Sequence, residues 1–281
     1  MQLHVFPPHP KLAKLIMHIS VFEWDESECY LPASLIPFLI LFIRGGTRVE
    51  QPDGSFVDSP RFILRGPCNV PTHSFHTTGT LTISVGFRPG MLHQAMGILP
   101  ADLLSSVLSM HEVCDHLRMN KLLLAMDEQL SINEYAQLFQ DFLLDTLDYK
   151  KKAGMGAAFL AAHQKMFFPL IDLSLHFGIG ERQLERRVRE AFGVNLRDTR
   201  RIARFGFSLF HIIGHTVSWG DLTRIAHDSG YYDQAHMHRE YLELAGISPA
   251  ALLQKIASED PAYCLYRLSQ IDAKNLLLPT E

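Results

Sequence analysis

At 281 residues, 47% hydrophobic and 20% charged, with a net charge of −4, the chain has the composition of a soluble globular protein and the length for two domains, each with its own core. Its longest uninterrupted apolar stretch, LIPFLILFI at 35–43, is too short to span a bilayer, and the start, MQLHVFPPHPKL, lacks a basic segment followed by an apolar one. Neither a membrane segment nor a secretory signal is therefore expected. Cys29, Cys68, Cys114 and Cys264 have no C-x-x-C spacing, which favours free thiols in a reducing cytoplasm over a disulfide framework.

In chain order, PKLAKLIMHIS at 10–20 reads as a short helix. Strand-like segments follow at 37–46, 61–66 and 80–87, punctuated by Pro52-Asp53-Gly54 and by Gly45, Gly46 and Gly79. Residues 1 to 95 are expected to form a mainly β domain, a small barrel or sandwich. From 100 to 149 the pattern turns helical, with Leu103, Leu104, Val107 and Leu108, then Leu122 to Leu124, then Phe139, Phe142, Leu143 and Leu147. Such stripes mostly pack a domain's own core, and a helix pair here is also a candidate dimer contact. YKKKAGMG at 149–156 reads as a linker, residues 157–255 as helical, and the tail has no clear pattern. The expected division is a β-rich domain with trailing helices at 1–150, an all-α domain at 151–256 and a tail at 257–281, an α+β chain overall.

Charge is unevenly spread. Residues 156–256 hold 12 Lys and Arg against 10 Asp and Glu, and the remainder holds 14 against 20. Residues 181–204 carry eight basic side chains against four acids, and all eight are arginine, the side chain suited to bidentate contact with phosphate or guanine. A solvated helix face with ion pairs is the common alternative for such a run.

An internal repeat organises this half. LERRVREAFG at 184–193 lies on MHREYLELAG at 237–246, so that Leu184, Arg186, Val188 and Gly193 fall on Met237, Arg239, Tyr241 and Gly246. Upstream, Leu173, Ser174 and Gly178 fall on Ile225, Ala226 and Gly230. The unit is an apolar helix, a glycine turn and a second helix ending at glycine, the sequence form of a helix-turn-helix. At about 100° per residue, Leu184, Val188 and Ala191 share one side of the later helix, while Arg182, Arg186 and Arg189 share the other. In the second unit Met237, Tyr241 and Leu244 are the buried stripe, with Ala235, Arg239 and Glu243 across from them. His236 and His238 form an H-x-H that would grip a metal on a strand, but on a helix they sit about 200° apart. No clamp is expected there.

IAHDSGYYDQAHMHREYLELAGISPA resembles the signature of the AraC/XylS family of bacterial transcription regulators, through Ile225-Ala226, Gly230-Tyr231, Asp233-Gln234, Arg239 and Gly246-Ile247-Ser248-Pro249. Leu173, Gly178, Arg182, Leu184, Arg186, Gly193 and Arg204 match in the first unit, so the resemblance covers about 100 residues. Four positions depart from it: Gly180 replaces the usual Ser N-cap, Asn195-Leu196 the usual Ser-Pro, and Thr199 an aromatic. The resemblance implies two helix-turn-helix units joined by one long helix, with recognition helices in successive major grooves roughly 34 Å apart. It implies base contacts from Arg182, Glu185 and Arg186, then from Gln234, Ala235 and Arg239. Arg189, Arg197, Arg200, Arg201 and Arg204 would meet phosphates. Arg204 and Arg239 have a second reading, as salt bridges between helices.

Phe87-Arg88-Pro89-Gly90, with the helix that follows, is similar to a motif in a subset of these regulators whose β-rich N-terminal domain carries F-R-P-G. Arg88 at the strand end either pins carbonyls or meets an anionic effector. The competing class is a metal-dependent, cupin-like enzyme with a helical appendage. Cupins need a period-two histidine pair, whereas the N-terminal half offers His73 and His76 at i, i+3, and His111, Cys114 and His116. With no G-x-G-x-x-G after a strand, no G-x-S-x-G and no P-loop, the expectation is a cytoplasmic DNA-binding regulator without catalysis, metal or cofactor. Its N-terminal domain is barrel- or cupin-like, its partner is double-stranded DNA, and a small-molecule effector, RNA polymerase and a second copy of the chain are further candidates.

Overall fold

Side chains alternate along a β-strand, and in the N-terminal half this sorts the residues into a packed outer face and an inner face lining a cavity. The structure, a computed structural model, describes residues 2–25, 28–150, 154–214, 217 and 219–277. Among the described residues ten strands, β1 (Gln2–Phe6), β2 (Ile16–Trp24), β3 (Glu28–Leu31), β4 (Phe38–Arg44), β5 (Thr47–Glu50), β6 (Phe56–Asp58), β7 (Phe62–Arg65), β8 (Thr72–His76), β9 (Thr80–Phe87) and β10 (Val107–Ser109), form two antiparallel sheets. One has the order β1-β2-β9-β4-β7-β10 and the other β3-β8-β5-β6. Ile19, Val21, Leu39, Leu41, Ile83 and Val85 of the larger sheet are buried with helices α1 (Leu92–Met96), α2 (His116–Ala125) and α3 (Ile132–Thr146). A capping box between Ser131 and Glu134 starts α3. The intervening residues, among them Ser20, Phe22, Phe38, Ile40 and Ser84, line the cavity.

The segments expected at 37–46, 61–66 and 80–87 are β4, β7 and β9. The helix expected at 10–20 is not formed. Leu12 and Leu15 close short turns, their amides bonding the His9 and Leu12 carbonyls, and Ile16 begins β2. The reason is position: β2 lies inside the sheet between β1 and β9, with Ile19 and Val21 in the main core and Phe22 and Trp24 packed with Cys29 and Cys264, so it is buried along nearly its whole length. A strand covered on both faces loses its alternation and imitates a helix's apolar run. Val107 and Leu108, expected in a helix, extend the sheet edge against Leu64 and Arg65.

The C-terminal half is helical: α4 (Met155–Ala161), α5 (Leu170–Phe177), α6 (Glu181–Phe192), α7 (Leu196–Gly214), α8 (Leu222–Asp228), α9 (Gln234–Ala245) and α10 (Pro249–Ala257). The proposed linker at 149–156 falls partly on residues 151–153, outside those described. Its last residue packs against the F-R-P-G turn, where a Cβ on Gly156 would lie 2.0 Å from the Gly90 carbonyl oxygen. Only glycine fits that approach.

The described residues of the tail are folded onto the rest of the chain. A 3-10 segment, Pro261–Tyr266, sets Tyr263 against Tyr30 of β3 with ring centroids 5.2 Å apart, and buries Cys264 with Phe22, Trp24 and Cys29. Helix α11 (Gln270–Leu277) then lies against α7 and β2. All four cysteines are free and buried. Among the described residues no helix is long and apolar enough to cross a membrane.

If the tail is an integral part of the fold, Tyr263→Ala lowers unfolding free energy by about 3 kcal/mol in urea titration, the usual cost of deleting a buried aromatic ring. A loss under about 0.5 kcal/mol would mean that the tail only rests on the surface.

Candidate nucleic-acid interface

The two repeat units correspond element by element, α5–α6 to α8–α9. Helices α6 and α9 each have 12 residues, and each ends at a left-handed glycine, Gly193 at φ 80° and Gly246 at φ 70°. Gly178 and Gly230, which turn the chain from α5 to α6 and from α8 to α9, also have positive φ, 64° and 80°. All four turns need a residue without a Cβ penalty, which is why glycine recurs there. The buried positions match as well: Leu184, Val188, Ala191 and Phe192 in α6, then Met237, Tyr241, Leu244 and Ala245 in α9.

Outward faces carry the polar side chains. Arg182, Glu185, Arg186 and Arg189 are exposed on α6, and Ala235, His238 and Arg239 on α9, with Gln234 half-buried beside Thr223. The side chains of Arg182, Arg189, Arg197 and Arg239 make no hydrogen bond or ion pair with another described residue. Arg186 is loosely paired with Glu190 at 3.7 Å. Tyr232, 86% exposed ahead of α9, is a further surface candidate that sequence reasoning missed.

The arginines of α7 divide differently. Arg197 is exposed, but Arg200 donates through Nε to the Met166 carbonyl at 2.6 Å and also to the Phe168 carbonyl. Burial lowers its guanidinium from the ordinary arginine range. Arg204 donates to Glu240 at 2.6 Å and lies over the Tyr231 ring at 4.8 Å, while Arg201 bonds both Glu240 and Glu243. Burial alone would lower Arg201, but its hydrogen bonds to Glu243 and Glu240 outweigh that and raise it. Glu240 is 5% exposed. Of the five arginines expected at phosphates, three thus have their donors turned into the protein, holding carbonyls and carboxylates. Arg239, by contrast, shows none of the salt bridging that was its second reading. The signal for Glu240 lay in the sequence: an acid within about 60° of Met237 on the apolar stripe of α9 has to meet a base, and Arg201 and Arg204 lie one turn apart on the preceding long helix.

Local caps follow the departures noted in the sequence. Gly180 starts α6 without a side-chain cap, whereas the Asp233 carboxylate caps α9 by accepting from the His236 amide at 2.6 Å. Asn195, in place of Ser, still caps α7 by accepting from the Asp198 amide at 2.8 Å, as Ser248 caps α10. Buried Thr199 spends its hydroxyl on the Asn195 carbonyl. The H-x-H is split by its helix. His236 packs edge-on to Tyr231 and lies 3.4 Å from Glu240, while His238 faces outward.

In the N-terminal half, Arg88 donates to the Ala13 carbonyl at 2.8 Å. His73 and His76 fall on opposite faces of β8: His73 bonds Glu50 and Glu28, and His76 stacks on Trp24 beside the cavity. His111 and His116 have ring centroids 6.5 Å apart, and Cys114 is buried. Among the described residues no three His, Cys, Asp or Glu side chains are grouped to hold a metal.

No protein-family model matches the chain, and no curated protein matches its sequence. Among solved structures, the chain is similar to ToxT from Vibrio cholerae at 11% identity, covering 84% of this chain and 97% of that one, with a TM-score of 0.47. Unsaturated fatty acid bound ToxT from strain SCE256 is similar at 11% identity over 84% and 94%, with the same score. The AraC-like transcriptional activator CuxR is similar at 15% identity over 71% and 84%, with a TM-score of 0.25. All three likenesses are weak.

Replacing the buried carboxylate separates the inner network from the outer face. Glu240→Ala is expected to cost roughly 2–3 kcal/mol, because two guanidinium groups lose charge-assisted bonds, while Arg239→Ala stays within about 0.5 kcal/mol of the parent. Equal losses in chemical denaturation would show that Arg239 too is a structural residue.

Proposed function

We propose that the chain is a cytoplasmic, sequence-specific DNA-binding transcription regulator of the AraC/XylS type, and not an enzyme. In this reading α5–α6 and α8–α9 are its two helix-turn-helix units. Residues 151–256 read the promoter, and residues 1–150 sense an effector and dimerise. The observation that carries the reading is the sorting of arginines. Arg182, Arg189, Arg197 and Arg239 stand exposed and uncommitted, while Arg200, Arg201 and Arg204 beside them are consumed in holding helices together. A merely solvated, ion-paired surface would leave no such idle set.

Arg182, Arg186 and Arg239 are assigned to guanine edges, Gln234 to adenine and Ala235 to a thymine methyl, with Glu185 accepting from cytosine or orienting its neighbours. Arg189 and Arg197 are assigned to phosphates. Arg200, Arg201 and Arg204 are assigned to helix packing, leaving the phosphate role to the other two. RNA polymerase and a second copy of the chain are the protein partners this reading calls for. The cupin-like enzyme has nothing in its favour, since β8 sends its two histidines to opposite faces.

Genome-wide capture of bound DNA, followed by footprinting at high salt, tests the reading, because non-specific affinity falls steeply as counterions compete. On the site so found, Arg182→Ala is expected to cost about 1–3 kcal/mol and to relax one base position. Arg197→Ala is expected to weaken all sequences alike and to reduce the salt slope by about 1. Capture of no discrete sites, or equal loss for Arg182→Ala on cognate and random DNA, would sink the base assignment.

A further inference from the structure

Among the described residues the helical half holds two apolar cores. Leu173, Leu184, Val188 and Phe192 of the first unit pack in one buried cluster, and Ile225, Met237, Tyr241 and Leu244 of the second pack in another. Helix α7 serves both, giving Leu196 to the first and Ile202, Phe205 and Leu209 to the second. The units are not seated on it alike. Glu240 ties α9 to Arg201 and Arg204 of α7, but the equivalent place in α6 holds Arg187, which donates to Glu190 of its own helix at 2.9 Å. The direction of α6 is therefore left to its other neighbours.

Those neighbours belong to the β-rich half, which touches both units. Leu35 packs against both apolar clusters. Pro67 lies 3.1 Å from where a Cβ on Gly193 would stand, and Pro71 lies 3.6 Å from the same point on Gly246. The Ala33 amide donates to the Leu244 carbonyl at 2.7 Å, taking up a carbonyl that the end of α9 leaves without a helical partner. One short strip, from Pro67 to Pro71, thus stops the C-terminal ends of α6 and α9, and its four steps reach at most about 14 Å.

The strip is braced. Ser34 and Cys68 exchange both backbone hydrogen bonds at 2.8 Å. The Ser105 amide donates to the Pro67 carbonyl at 2.8 Å, while its hydroxyl accepts from the Asn69 amide at 3.2 Å and donates to the Asn69 side chain at 2.8 Å. Ser105 has φ 53°, a left-handed backbone that side chains other than glycine seldom adopt, and the bonds around it hold it there. Proline at each end of the strip fixes φ as well.

We propose that residues 66–71, braced by Ser34 and Ser105, are a spacer that fixes α6 relative to α9, so that the β-rich half sets which separation of two major-groove segments the protein accepts. The consequence for DNA rests on the regulator reading above; the fixing of the helices does not. One base pair added between two segments moves one by about 3.4 Å and about 35° around the duplex relative to the other. Braced helices cannot follow that displacement, although each still reads its own segment. Asn69 and Ser105 are positioning residues, acting through α6 and α9.

The test has one arm without DNA and one with it. Spin labels are placed on the full chain at Gln183→Cys and His238→Cys, both exposed positions, the four native cysteines being buried. Double electron–electron resonance is expected to give one narrow distance distribution, which a glycine inserted between Asn69 and Val70 broadens about twofold. Unlabelled protein is then titrated with the captured site and with versions one base pair longer or shorter between the segments. The parent is expected to lose about tenfold for either change, the order of one mismatched base pair, and the insertion variant about twofold. Its loss on a base change opposite Arg182 is expected to equal the parent's, whereas a merely destabilised protein would lose affinity for every site alike. Ser105→Gly, which keeps the left-handed backbone and drops the hydroxyl, is expected to follow the same trend and decides the matter should circular dichroism show the insertion variant unfolded. An unchanged distance distribution, or a spacing penalty as large in the variants as in the parent, overturns the proposal. Capture of no discrete sites overturns the regulator reading and the spacing claim with it, while the resonance arm still decides whether the strip holds the helices.

Discussion

The Glu240 carboxylate, drawn into the apolar side of α9 between Arg201 and Arg204, governs how the second unit sits on the long helix α7. An acid at 5% exposure is stable only when its charge is matched, so α9 cannot rotate or slide along α7 without stranding it. Tyr231, held beneath Arg204 and pushed up to about 12 by burial, closes the same corner, and Ser208 joins Tyr241 there at 2.9 Å. The network sacrifices two arginines that charge counting alone would send to DNA. What it returns is a fixed direction for the outward side of α9. In the proposed regulator that direction decides which base edges Gln234, Ala235 and Arg239 can reach.

A second constraint acts at the other end of each recognition helix. Gly193, closing α6, lies against Pro100 and Pro67, where a Cβ would come within 2.9 Å of Pro100 backbone. Gly246, closing α9, faces Pro71, and the nearby Leu244 carbonyl accepts from the Ala33 amide at 2.7 Å. Both helices therefore abut the β-rich half at their C-terminal ends, leaving their N-terminal turns outward. That polarity suits a groove reader, since the N-terminal residues of a recognition helix meet the bases and the positive end of its dipole faces phosphate. The tail strengthens the same junction by stacking Tyr263 on Tyr30.

How much of this was legible in the sequence depended on locality. The duplicated unit was readable because its signals are local: glycines at the four turns, apolar residues at helical spacing, and Asp233 and Ser248 at helix starts. Strands β4, β7 and β9 were readable for the same reason, while β2 was hidden because both its faces are buried, Ile19 and Val21 in the main core and Phe22 and Trp24 against Cys29 and Cys264, which erased its period. Short edge strands such as β6, exposed along all three residues, carry too little pattern to find. The site was half legible. Which arginines are idle depends on where Glu240, Glu243 and the carbonyls of Met166 and Phe168 lie in space, and those partners are 32 to 42 residues away along the chain. Composition assigns charge, whereas only the fold assigns partners. The cavity was wholly illegible, because Ser20, Thr82 and Ser84 are unremarkable until β2 and β9 set them side by side on one face of the larger sheet.

The position of that cavity bears on how such a protein would be controlled. A ligand shifts an equilibrium only as far as its affinity differs between the two states, so a pocket buried within one rigid unit would have little leverage on DNA binding. Here the walls come from both sides of the junction: Ser84 and His76 from the sheets, Ile202 and Ser229 from the helical half, Tyr266 from the tail. Any motion that turns the α6 and α9 faces relative to the β-rich half also reshapes the cavity. An occupant that fits it in one arrangement therefore disfavours the others. A 10-fold difference in affinity is worth about 1.4 kcal/mol, the same order as one mismatched base pair in a binding site. Control at that level needs no hinge and no unfolding, only a shared wall.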